Sequence, residues 1–125
     1  MKRIAIIPAR SGSKRIQDKN IKLFIGKPML FWSIDSAIES NIFDRILVST
    51  DSEKYAELAR KRGADVPFLR ESACDDISNV SLATSYALEQ AKNYYQESYN
   101  TVVQLMPNCP LRKSQTIKDF VSSFE

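Results

Sequence analysis

The apolar positions of this chain fall into short runs of β character that alternate with longer runs at helical spacing. Ile4-Ala5-Ile6-Ile7 is a continuous apolar run closed by Pro8, the pattern of a strand buried on both faces. Gly26-Lys27-Pro28 then punctuates the chain, and Pro28 suits the first position of a helix. Leu30, Ile34, Ala37 and Ile38 give that helix an inner stripe, which ends near Asn41. Arg45-Ile46-Leu47-Val48-Ser49-Thr50 reads as the second strand. Thr50 and Glu53 match a capping box for a helix with Tyr55, Leu58 and Ala59 inward, stopped by Gly63. Asp65-Val66-Pro67-Phe68-Leu69 predicts a short third strand, which Pro67 confines to an edge. Val80, Ala83, Ala87, Leu88 and Ala91 line one side of the next helix, and Thr101–Met106 is the fourth strand. Ile117, Phe120, Val121 and Phe124 mark a last helix, with Ser114 as its cap.

The order is βαβαβαβα without a linker, repeat or low-complexity segment, so a single domain is expected across residues 1–125. Such alternation predicts an α/β fold: a Rossmann-like, three-layer α/β/α arrangement around a parallel sheet. Right-handed crossovers place the strands in the order 3-2-1, with the fourth on the other side of the first. The switch point then lies between strands one and four. Ligands of such sheets bind at the carboxyl ends beside that point, so the loops Arg10–Asn20 and Pro107–Arg112 become its two walls.

Charge sharpens this picture. Between Arg10 and Lys27 lie six cations (Arg10, Lys14, Arg15, Lys19, Lys22, Lys27) and one acid, Asp18. The segment carries +5, whereas the whole chain carries +3, so the remainder is net negative. Ser11-Gly12-Ser13 are small enough for backbone N–H groups to approach an anion, and the cations supply charge. The physical reading is a polyphosphate cradle. It is not a Walker loop, because the glycine spacing is absent. Histidine is absent from the chain, which argues against zinc sites and Ser/Cys–His pairs and leaves Lys, Arg, Asp, Glu and a hard metal to do any chemistry. Cys74 and Cys109 read as free thiols, and no apolar run approaches a membrane span or a signal peptide. A cytoplasmic protein is expected, with no nucleic-acid or membrane partner, since the basic residues sit in one loop without interleaved aromatics.

Ile7-Pro8-Ala9-Arg10-Ser11-Gly12-Ser13-Lys14-Arg15, then Lys19-Asn20 and Gly26-Lys27-Pro28-Met29, resemble the opening of the acylneuraminate cytidylyltransferases. These are the CMP-sialic acid synthetases and their relatives for other nonulosonic acids. Val48–Ser52, Val66–Arg70 and Pro107–Arg112 match later blocks of that family in the right order. The resemblance implies a nucleotide-diphospho-sugar transferase-like fold, of which this chain is the N-terminal, nucleotide-binding half. It implies transfer of CMP from CTP to a sialic-acid-like sugar acid with release of pyrophosphate, in cell-surface polysaccharide biosynthesis. CTP and a sugar acid are the implied partners, Mg²⁺ the implied cofactor, and a homodimer the implied full-length form. Carried over by motif, Arg10 and Lys19 are the catalytic candidates. Ala9, Arg10, Ser13, Lys14 and Lys19 would hold the triphosphate, and Asn20 and Arg70 the nucleoside.

The family usually places Gln-Pro-Thr-Ser-Pro in the fourth-strand loop, where the glutamine touches the sugar acid. Here the stretch is Met106-Pro107-Asn108-Cys109-Pro110, and Met106 cannot make the same hydrogen bonds. Gln104, on the same face of the strand as Met106, is the other candidate for the sugar side. Gln17 stands where proline is common. The resemblance also implies that the Mg²⁺-binding aspartates lie beyond position 125. The alternative function is a CTP-binding remnant of the family without turnover. A receiver-type switch module is disfavoured, because Ala9-Arg10 stand where acids would follow the first strand. Among single residues, Asp51 reads as a helix cap ahead of a metal or ribose ligand, Asp75-Asp76 as solvated acids, Cys109 as a small filler, and Tyr94, Tyr95 and Tyr99 as packing around a helix end.

Overall fold

A computed structural model describes residues 2–9, 23–70, 80–106 and 114–124. Its centre is β1 (Arg3–Pro8), flanked in a three-stranded parallel sheet by β4 (Arg45–Ser49) and β5 (Thr101–Gln104) in the order β4-β1-β5. The register runs from Ile4↔Arg45 to Pro8↔Ser49 on one side and from Arg3↔Thr101 to Ile6↔Gln104 on the other. Alternate residues of β1 serve two cores. Ala5 and Ile7 face Leu30, Ile34 and Ala37 of α1 (Met29–Ser40), Tyr55, Ala56 and Ala59 of α2 (Glu53–Arg62), and Ile117 and Val121 of α4 (Ser114–Phe124). Ile4 and Ile6 pack with Leu47 against Ala87 and Ala91 of α3 (Val80–Tyr95). Covering both faces is what requires the unbroken apolar run, and each fully buried Ile or Leu contributes about 2 kcal/mol. The three-layer arrangement and the strand order are those expected from the alternation.

Three local readings are corrected. The third strand contracts to one bridge: Asp65 pairs with Leu47, its N–H donates to Ile46 O (2.8 Å), and Val48 N–H donates to its C=O (3.1 Å). Pro67, which has no N–H, stands where the ladder would continue. Neither Thr50 nor Asp51 caps α2. Ser52 does, its Oγ accepting from Tyr55 N–H (3.3 Å), while Thr50 Oγ1 accepts from Ser52 N–H (3.2 Å) and Glu53 pairs with Arg60. Pro28 lies one residue before α1, in a hairpin of β2 (Leu23–Phe24) and β3 (Lys27–Pro28) that the apolar pattern did not predict. Its two-residue loop puts Ile25 at φ 51° and Gly26 at φ 78°, the positive signs that a type I′ turn needs. Gly63 and Asn41 end their helices in the left-handed conformation, as read. Ser114 is the first residue of α4, and its side chain lies outside the described residues.

The amino edge of the sheet is closed by charge. The Glu97 carboxylate accepts from the Lys2 ammonium, from Arg45 Nε (3.1 Å) and from Tyr99 OH (2.9 Å), and the Arg45 guanidinium lies 3.8 Å from the Tyr95 ring centre. Phe68 and Tyr95 each meet Tyr94 edge-on, so the tyrosines pack around the end of α3 as expected. Hydrogen bonds from Lys2 first, then Tyr99 and Arg45, hold the Glu97 carboxyl down at about 2, from an ordinary 4.5. A carboxyl depressed on folding stabilises above its unfolded pKa and loses that contribution as the pH falls through its folded one. Urea denaturation between pH 5 and about pH 2 is therefore expected to show a shallower loss of stability in Glu97→Gln than in the parent. Equal slopes would place the acid sensitivity elsewhere.

Candidate functional site

The carboxyl edge of the sheet is built by backbone that continues the ladders. Ala9 N–H donates to Ser49 O (2.8 Å), Leu105 N–H to Ile6 O (2.9 Å), and Arg70 N–H to Thr50 O (2.8 Å). These bonds fix where the chain leaves β1, β4 and β5. Ser33 of α1, 1% exposed, donates from Oγ to Met106 O (3.1 Å) and ties the end of β5 to the helix beneath it. Buried polar side chains gather here: Ser49, Thr50 and Arg70 are at most 4% exposed. Elsewhere on the sheet the buried side chains are apolar, so this edge is where polar chemistry enters the core.

Of the residues singled out from the sequence, Ala9, Arg70, Gln104 and Met106 are described. Arg10, Ser13, Lys14, Lys19 and Asn20 lie outside the described residues, as do Asp75, Asp76, both cysteines and the Pro107–Arg112 wall. Ala9 is fully buried, and its N–H serves the sheet, so what it offers a neighbouring anion is its small size. Arg70 is buried, at 4% exposed. Gln104 and Met106 do share a face: Gln104 Nε2 lies 3.6 Å from Met106 Sδ, and Gln104 Oε1 accepts from Thr84 Oγ1 of α3 (2.9 Å). Thr84 was not anticipated, because nothing local links positions on separate elements.

Lys27 departs from the cradle. Its ammonium binds Asp35 of α1 and sits 4.1 Å from the centre of the Trp32 ring. Asp35 also takes both Nε and Nη2 of Arg62 from α2, at 2.7 and 2.6 Å. Burial alone would raise the Asp35 carboxyl, but the hydrogen bonds and charges of Arg62 and Lys27 outweigh it and hold it below its ordinary value. The Lys27–Asp35–Arg62 triad thus clamps the hairpin, and with it one end of the cationic loop, to two helices. Sequence spacing gave no sign of this, since the partners lie on three elements.

The sequence model of a family described as cytidylyltransferase matches residues 4–125. The chain belongs to the cytidylyltransferase family. Among curated relatives of this cytidylyltransferase chain, a pseudaminic acid cytidylyltransferase of Campylobacter jejuni is 41% identical over 99% of the chain and 53% of its own length. An N-acylneuraminate cytidylyltransferase of Streptococcus agalactiae is 46% identical over 95% of the chain and 28% of its own length. Among solved structures, a cytidylyltransferase of Leptospira borgpetersenii superposes with a TM-score of 0.75 at 28% identity, over 99% of the chain and 49% of that protein. The chain spans about half the length of the Campylobacter relative.

The fit of a divalent metal to this cytidylyltransferase edge is poor among the described residues. They hold no group of three or more His, Cys, Asp or Glu side chains able to surround an ion, and Asp51 is the acid nearest in sequence to the end of β4. Hard cations such as Mg²⁺ need several oxygen ligands, which the described residues do not assemble. Among the described residues no helix is long and apolar enough to cross a membrane.

The Ser33–Met106 bond carries a prediction. Ser33→Ala leaves the Met106 carbonyl without its buried donor and is expected to cost about 1 kcal/mol in chemical denaturation. No change would mean that the end of β5 is held by the ladder alone.

Proposed function

We propose that this chain is the nucleotide-binding part of an enzyme that transfers CMP from CTP to a nonulosonic sugar acid. In that reaction a sugar hydroxyl oxygen bonds to the α-phosphorus, the bond from that phosphorus to the bridging oxygen breaks, and pyrophosphate leaves. The observation that carries the reading is the coincidence of two things at one sheet edge. The family's cationic loop leaves the end of β1, and β4 and β5 flank that end on opposite sides, as a ligand crevice at a switch point requires. Supporting it are the names of the two relatives, a pseudaminic acid cytidylyltransferase and an N-acylneuraminate cytidylyltransferase.

In this reading Arg10 and Lys19 neutralise the triphosphate and the charge that develops on the departing pyrophosphate, with Ser13 and Lys14 adding donors. Asn20 and Arg70 meet the cytidine, and the burial of Arg70 suits a rigid, pre-aimed guanidinium. Ala9 lets the phosphates come close to the end of β1. Gln104 and Met106 face the sugar acid. With the Gln104 amide already engaged by Thr84 and thioether beside it, this wall favours a substrate with more apolar surface than one met by a free glutamine. Mg²⁺ belongs to the proposal as the family's expected cofactor, and the protein is read as cytoplasmic.

Two measurements test the proposal. Equilibrium titration is expected to show CTP binding more tightly than ATP or GTP. Arg10→Ala and Lys19→Ala should each weaken CTP by about 1.5–3 kcal/mol, while Lys2→Ala, at the other end of β1, leaves it unchanged. Equal affinity for the three nucleotides would reduce the site to a general polyphosphate cradle. Fused to the unmatched portion of the Campylobacter relative, the chain is expected to release pyrophosphate from CTP when a nonulosonic acid is supplied. CTP binding without any turnover would instead make it a CTP-binding protein.

A further inference from the structure

Thr84 sets how Gln104 meets its surroundings. In a helix a threonine hydroxyl ordinarily turns back to a carbonyl one turn earlier. The Thr84 hydroxyl instead crosses from α3 to β5 and donates to Gln104 Oε1 at 2.9 Å. A hydroxyl has a single proton, so that donor is committed. The Gln104 carbonyl oxygen is thereby turned toward α3. Its N–H₂ group, on the other branch of the carboxamide, lies 3.6 Å from Met106 Sδ. A thioether is a weak acceptor, so the N–H₂ keeps donor capacity for a stronger one.

The place of this pair follows from the ladder. Gln104 is the register partner of Ile6, and two residues further on Met106 stands level with Pro8, where β1 ends. The Met106 carbonyl is held by the Ser33 hydroxyl, and the Gln104 side chain is exposed. Beside the end of the central strand the fold therefore presents a fixed hydrogen-bond donor next to a polarisable, apolar sulfur. Such a surface has a definite complement: an oxygen that accepts, with a small alkyl group joined close to it. An acylamino group supplies both, its carbonyl oxygen for the N–H₂ and its alkyl carbon for the thioether. An ammonium in the same place has only N–H groups to offer, and donor meets donor.

We infer that Thr84 is a positioning residue that sets the choice of sugar acid. By holding the Gln104 carbonyl it aims the Gln104 N–H₂ at the substrate, and so selects an acylamino nonulosonic acid over the same sugar with a free ammonium group. This rests on the reading above, in which Gln104 and Met106 face the sugar acid. Thr84 itself touches Gln104 and acts through it.

Two measurements test it. In the chain alone, without ligand, the Gln104 side-chain amide is followed by ¹H–¹⁵N NMR. Thr84→Val keeps the branched shape and loses the hydroxyl, and is expected to move the two amide protons to the positions of a solvated glutamine. Thr84→Ser should leave them where the parent has them. Resonances unmoved in Thr84→Val would overturn the inference. In the fusion with the unmatched portion of the Campylobacter relative, pyrophosphate release is compared for an N-acetylated nonulosonic acid and the same sugar with a free ammonium group. The parent is expected to favour the acetylated sugar by about tenfold in kcat/KM, the scale of one hydrogen bond. Thr84→Val should lose most of that preference through the KM for the sugar, with the KM for CTP unchanged, and Thr84→Ser should retain it. Gln104→Glu has the same shape but only accepts, and should reverse the preference. Equal kcat/KM for the two sugars in the parent, or a preference that Thr84→Val and Gln104→Glu leave intact, would overturn this inference and leave CMP transfer standing. Turnover of neither sugar would overturn the transfer reading, and this inference with it.

Discussion

Enclosure of β1 is the constraint on which the rest depends. The strand is hydrogen-bonded along both edges and buried on both faces, so its six residues must satisfy two ladders and two cores at once. Ala5 and Ile7 draw α1, α2 and α4 to one side, and Ile4 and Ile6 draw α3 to the other. With neighbours of opposite connection on its two edges, β1 ends where the crossovers part. The position of the proposed site is thus a consequence of packing.

Charge is sorted along the same axis. At the amino edge Lys2 and Arg45 are matched by Glu97, and Arg45 lies over the Tyr95 ring, so this end is neutralised within the fold. Lys27, at the far side of the cationic segment, is likewise matched by Asp35. The remaining cations of the loop, from Arg10 to Lys22, have one acid among them in sequence, Asp18. The amino edge of the sheet and the hairpin are thus each neutralised by an acid on another element. The Lys27–Asp35–Arg62 clamp adds a mechanical element, because it holds the β2–β3 hairpin against α1 and α2.

Membership of the cytidylyltransferase family and the geometry at Gln104 bear on different questions. The first concerns the nucleotide, whose proposed contacts fall on the loop motif and Arg70. The second concerns the proposed acceptor side, where Gln104, Thr84 and Met106 form a small set of contacts. A hydrogen-bonding wall rejects a ligand that leaves its polar atoms unpaired, whereas a thioether tolerates apolar substituents.

Much of this was legible before any coordinates. Ile4 to Ile7, the stripe from Leu30 to Ala37, and Gly63 and Asn41 as helix stops all express local periodicity or backbone preference, which a linear reading detects. The strand order followed from crossover handedness, and the cationic loop from composition. What stayed hidden was non-local or locally disfavoured. Ile25 at positive φ breaks the preference of a β-branched residue, so the hairpin it forms carries no turn signature. Ser52 displaced Thr50 as cap because a two-residue shift in where α2 begins depends on how β4 ends. Asp65 kept one bridge in place of a strand because pairing needs a neighbour with free N–H groups, and Pro67 withholds one. The binding of Lys27 by Asp35, of Asp35 by Arg62, and of Gln104 by Thr84 each join residues on different elements. Sequence alone settled the three central strands, the four helices and the concentration of charge along the chain, because those follow from neighbours in sequence. The tertiary structure decided which charges are already paired and which side chains meet at the carboxyl edge of the sheet, because those depend on what the fold brings together in space.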